Sequence, residues 1–173
     1  MVDVQLLQTL SVVVASAGVF LAAVYYALQI RHQTRIRKTD LVMRLYQTYN
    51  DKEFTDAEYD IIGLQFKDFE DFRKKYGSRG SESMRQIAKS ISVVLGFYEL
   101  VGTLLYRKCI ELGLAFDVFG FSNVRDMYEK VKPLILGFRR ERNDPTDFAG
   151  FEYLYNELLR KGPQLKKTWE KTL

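Results

Sequence analysis

The chain has 173 residues, 47% of them hydrophobic and 28% charged, with 26 Lys/Arg against 22 Asp/Glu for a net charge of +4. Its single histidine, His32, lies beside an apolar segment, and its single cysteine is Cys109. That composition excludes a Ser–His–Asp or Cys–His centre in the domain, an internal disulfide and a thiolate metal cluster. Residues 1–38 carry +3 of the net charge and residues 39–173 only +1, so no nucleic-acid partner is expected, because such a partner needs a concentrated basic face.

Residues 4–30 contain no charge, and Arg31, Arg35, Arg37 and Lys38 follow at once. The apolar heart, Leu10 to Leu28, makes a helix of about 28 Å, close to the hydrocarbon thickness of a bilayer. It reads as a transmembrane anchor over residues 1–30. A cleaved signal peptide is disfavoured: Ala15-Ser16-Ala17 matches the cleavage pattern, but there is no basic n-region and the apolar run continues past it. A buried core helix is disfavoured because no polar face interrupts the run. The cations after the span place the N-terminus outside and the remaining chain in the cytoplasm, in contact with anionic headgroups, while Tyr25 and Tyr26 fall at the inner interface. Ser11, Ala15, Gly18 and Ala22 share one helix face at i, i+4, i+7 and i+11. Such a face packs against a second copy or a partner's span.

The basic segment 31–39 is expected to be helical and continuous with the anchor, since residues 31–50 hold no Gly or Pro. A cytoplasmic helical domain over 40–162 follows. Asn50-Asp51 reads as a turn, with Asp51 capping a helix over about 53–65. A short helix is expected over 69–76. The loop Gly77-Ser78-Arg79-Gly80 comes next, and Ser81 or Ser83 caps a long helix over about 83–107. Its apolar stretch Ile91–Tyr106 holds Glu99 at the centre and reads as a buried core helix rather than a second span. Beyond Leu112-Gly113, a short helix carries Ala115 to Phe119. Ser122 or Asn123 caps a helix to about 140 that contains Pro133, and another helix covers about 147–161. Gly162-Pro163 stops that helix and leaves an amphipathic tail, 163–173. There is no strand alternation, so the fold class is all-α: one transmembrane helix, then an irregular bundle of about five to seven helices.

Candidate chemistry is sparse. Gly77-Ser78-Arg79-Gly80 lacks the Lys-Ser/Thr of a phosphate loop. Asp68, Glu70 and Asp71 are acids at a helix start, where the dipole favours them, so no metal site is assigned. Glu99 needs a partner in its apolar setting, and Arg139 is the natural one, forming a buried ion pair. Arg139-Arg140-Glu141-Arg142 complements a helix C-terminus, with a phosphate or anionic-lipid site as the sharper alternative. Leu165, Lys166, Lys167, Trp169 and Lys171 form a tail that can lie on the inner leaflet or dock on the domain. Cys109 is expected to be half-buried.

The run Leu95-Gly96-Phe97-Tyr98-Glu99-Leu100-Val101-Gly102, then Arg107-Lys108, Pro133 to Arg139 and Phe151-Glu152-Tyr153-Leu154 resembles an uncharacterised prokaryotic family. Tyr128 stands where that family more often has Trp. The resemblance implies an N-terminal transmembrane helix joined to a small helical cytoplasmic domain of unknown function. It implies no activity or ligand.

These readings converge on a single-pass membrane protein with no enzymatic activity, cofactor or small-molecule substrate. It meets the lipid bilayer and a protein partner, or itself, through the span, as an accessory or scaffold subunit. A membrane-bound sensor and a surface enzyme using carboxylates are the alternatives.

Overall fold

The structure, a computed structural model, describes residues 4–77 and 82–170. Seven helices and no strands occur among them: α1 (Val4–Tyr49), α2 (Lys52–Gly63), α3 (Phe69–Tyr76), α4 (Glu82–Tyr106), α5 (Leu112–Phe119), α6 (Phe121–Arg142) and α7 (Ala149–Glu170). The chain divides into two compact units, residues 1–40 and 41–173. The loop Gly77-Ser78-Arg79-Gly80 lies largely outside the described residues. So do Ser81, the side chain of Ser83 and their proposed capping roles.

The first unit holds the apolar part of α1 and the basic segment that follows it. Its large side chains stand open, with Leu10, Val14, Phe20 and Ile30 each roughly 60% exposed or more. Two of its polar side chains fold back on the helix: Ser11 donates to the Gln8 carbonyl and Ser16 to that of Val12, both at 2.8 Å.

The second unit has its own core around α4. Val94, Leu95, Tyr98 and Val101 are fully buried on α4, which packs chiefly on α7 and α2. From α7 come Phe151, Leu154 and Leu158, from α2 Phe54 and Ile61, and from α6 Val131, Leu134 and Ile135. Their spacing at three and four residues is the inner stripe of each helix. The Tyr98 and Phe151 rings stack at 4.6 Å where α4 meets α7.

The helix ends follow local chemistry. Asp51 caps α2 by accepting from the Glu53 N–H, and Asp68 caps α3 by accepting from the Asp71 N–H. Two expectations are corrected. The N-cap of α6 is Gly120, at φ +74°, rather than Ser122 or Asn123. Glycine adopts that backbone readily, and Asn123 turns its amide to Tyr49 and the Phe119 carbonyl instead. Pro163 does not end α7, which runs on to Glu170, so residues 163–170 belong to the helix. The carbonyl that Pro163 leaves unbonded is that of Leu159, an exposed residue. Meanwhile Gly162 is buried near Phe121 and Phe116, and that packing holds the chain helical.

Two described helices are long and apolar enough to cross a membrane: the Leu10–Tyr49 part of α1 and the Met84–Tyr106 part of α4. They differ in cover. The apolar window of α1 has no buried residue, whereas half of that of α4 is buried inside the protein.

Candidate functional site

Ser11, Ala15, Gly18 and Ala22 are all exposed on α1, and no atom lies within 4 Å of where a Gly18 Cβ would be. Arg31, Arg35 and Arg37 are exposed and Lys38 is partly covered. Of the tail residues, Leu165 is half-buried, with its methyl within van der Waals reach of a side chain at Gly113, so it docks towards α5. Lys166 and Lys167 are exposed. The Trp169 side chain and all of Lys171 lie outside the described residues. Cys109 is exposed, not half-buried.

The expected Glu99–Arg139 ion pair is not formed, because each finds a better partner on the same turn. Glu99, half-buried on α4, accepts from the Gly150 N–H at 3.1 Å and the Phe151 N–H at 2.9 Å. It therefore caps the N-terminus of α7 from another helix, satisfying amides that the helix itself leaves open. It can reach them because α4 and α7 touch backbone to backbone: a Cβ at Gly102 would lie 1.8 Å from the Gly150 carbonyl oxygen. Arg139, only 15% exposed, donates through Nε to the Asp147 carbonyl and through its terminal nitrogen to Glu152, each at 2.8 Å. Between these anchors stands Phe148 at φ +57°, a strained value for an aromatic residue. Glu99 and Arg139 thus clamp the turn that starts α7 from its two ends. Beside it, burial and the Glu152 charge push the Tyr128 hydroxyl up to about 12.

The acids flagged at the start of α3 are engaged locally. The Asp68 carboxylate caps the helix, and Asp71 accepts from the Lys67 N–H at 3.0 Å and Lys75 Nζ at 2.9 Å.

Sequence reading missed a second polar group, on α2. Glu58 is half-buried, and burial raises its carboxyl above the ordinary range. It borders a cavity of about 520 Å³ with Tyr59, Ile62, Asn123, Asp126, Met127 and Lys130. Behind it the Tyr98 hydroxyl is fully buried without a hydrogen bond of good geometry, and Tyr49 and Glu58 are the polar groups that face it. Glu58 sits at i+4 from buried Phe54, on the edge of the inner stripe of α2. That offset was the available signal. Tyr98 gave another, since a tyrosine in an apolar run needs somewhere to place its hydroxyl.

Among the described residues no group of three or more His, Cys, Asp or Glu side chains is placed to hold a metal ion. Set against known proteins, residues 12–158 match the model of a family described as a domain of unknown function, DUF4760. No curated protein and no solved structure matches the chain.

Proposed function

The chain belongs to the DUF4760 family, whose description assigns no activity, and from that premise we propose that it is a membrane-anchored helical interaction module. In this reading it is an accessory or scaffold subunit of a membrane complex. Residues 10–30 of α1 span the bilayer once. Arg31, Arg35, Arg37 and Lys38 hold the second unit on the cytoplasmic side. The face of Ser11, Ala15, Gly18 and Ala22 meets another span.

The observation that carries this reading is the uncovered apolar surface of α1. A continuous apolar rod with its side chains open from Leu10 to Ile30 is too large a patch for a water-facing surface, and lipid is the solvent that suits it. By contrast, α4 spends its apolar face on α2 and α7, which supports its role as a core helix. The helical domain supplies a mostly neutral surface for a protein partner.

The test is alkaline extraction of membranes followed by flotation of the full chain. An integral protein stays with the floating vesicles. Release into the alkaline supernatant overturns the proposal. In the same membranes, Gly18→Leu is expected to reduce cross-linked dimer or partner adduct at least several-fold. An adduct yield unchanged by Gly18→Leu and Ala15→Leu removes the packing face from it.

A further inference from the structure

A cavity of about 830 Å³ lies between α3 and α6, and its wall is mainly apolar. Its floor follows from a small residue. The Phe69 ring rests on α6 where a Cβ at Gly137 would lie 2.0 Å from it, and it meets Phe138 edge-on at 5.4 Å. This contact holds α3 down at one end and leaves an open trough along α6, walled by Pro133, Leu136 and Pro145. Leu136 is 46% exposed there.

Cations rim this trough, and their commitments differ. Arg139 is taken by Glu152 and the Asp147 carbonyl. Arg142, which does not line the trough, pairs with Asp147 at 2.7 Å and lies over the Phe138 ring. Lys132 and Arg140 border the cavity and are exposed, and neither pairs with any described residue. They stand at i and i+8 with Leu136 midway, on one face of α6. About 12 Å of helix axis separates them, a distance that two long side chains can close on one anion. The one acid on the wall, Asp68, already spends its carboxylate capping α3. Two free cations flanking an apolar trough suit a ligand that is greasy in its body and negative at its end.

We propose that this trough binds an anionic lipid, one acyl chain lying along Leu136, Pro133 and Pro145 and its phosphate or carboxylate held by Lys132 and Arg140. The site stands on residues 68–145 alone and does not depend on α1 crossing a bilayer.

The test uses the full chain in a neutral maltoside detergent with a diazirine-bearing alkyl phosphate as photoprobe. Labelled positions are read by peptide mass spectrometry. Labelling is expected on the α3 segment and residues 133–145. Lys132→Ala and Arg140→Ala should each weaken it about tenfold, the effect of one charge-assisted contact. Leu136→Ala should weaken it several-fold. Each variant should melt as the wild type does, since all three side chains are exposed. A neutral diazirine alkyl glucoside should label these peptides poorly, and millimolar inorganic phosphate should compete only weakly. Any of these results would overturn the proposal: labelling confined to α1, labelling indifferent to both cation variants, equal labelling by the neutral probe, or full competition by inorganic phosphate. Displacement of the probe by an acidic peptide more readily than by a fatty acid would also overturn it, since it would make the trough a protein-docking groove.

Discussion

Replacing Gly102 by alanine strikes the contact on which the second unit is built. The new Cβ would lie 1.8 Å from the Gly150 carbonyl oxygen and 2.3 Å from its carbon, both backbone atoms. Ordinary contact needs about 3.5 Å, so α4 and α7 must part by about 1.7 Å. The two bonds from Glu99 to the Gly150 and Phe151 amides, at 3.1 and 2.9 Å, then pass the hydrogen-bond limit of about 3.5 Å. Overpacking costs about 1–3 kcal/mol and a lost cap about 0.5–2 kcal/mol. Together they give about 3 kcal/mol, which for a domain of this size is a fall in Tm of about 6–12 °C. Gly96 on the same helix is the control: it is exposed, and no atom lies within 4 Å of its would-be Cβ. Gly96→Ala should gain about 0.5–1 kcal/mol from reduced backbone freedom and melt slightly higher. Thermal melting by circular dichroism in mild detergent reads both. If the two variants shift alike, or if Gly102→Ala melts within about 2 °C of the wild type, the packing argument fails.

Glu99→Ala should cost about 1–2 kcal/mol as the loss of an N-cap, with hydrogen exchange accelerating at the Gly150 and Phe151 amides; protection unchanged there would contradict the cap. Arg139→Met should cost about 1–2 kcal/mol by freeing the part-buried Asp147 carbonyl and Glu152, and Arg139→Lys should not restore it, because one ammonium cannot serve both acceptors as the guanidinium fork does. Glu58→Gln should change the pH profile. Burial raises the folded-state carboxyl above its ordinary 4.5, so between that value and the raised one the folded protein binds more protons than the unfolded chain. Stability therefore falls as pH rises through that window, and the ionised form is the less stable one. The variant's Tm should gain on the wild type as pH goes from about 4 to 7; a difference that is flat or reversed with pH would refute the role given to burial.

The helices themselves were largely readable, because apolar residues at three- and four-residue spacing and the caps Asp51 and Asp68 are local signals. Where reading failed, a longer-range contact decided. Pro163 breaks an isolated helix, but the packing of Gly162 near Phe121 keeps this one intact. Ser122 and Asn123 are good caps by type, yet the helix starts one turn position earlier, at Gly120, whose positive φ turns the chain directly from α5 into α6 without a side-chain cap. A carboxylate at position 99, inside an apolar run, needs a partner, and it has one in the Gly150 and Phe151 amides. The sequence displays cations, however, and not the backbone amides that tertiary packing brings within reach, which is why Arg139 reads as the partner although it bonds Glu152 and the Asp147 carbonyl. Glu58 escaped notice because its burial depends on α4 supplying Tyr98 beside it. The trough on α6 was hinted at by the cluster Arg139 to Arg142, but which of those cations stays free depends on where Asp147 and Glu152 fall.

Cys109 is the chain's one cysteine and it is exposed, which makes it a native reporter of sidedness. Labelling it with a membrane-impermeant maleimide in sealed vesicles of known orientation tests the anchor and its direction at once. The account predicts reaction in inside-out vesicles and none in right-side-out vesicles until detergent opens them. Reaction in intact right-side-out vesicles would contradict it.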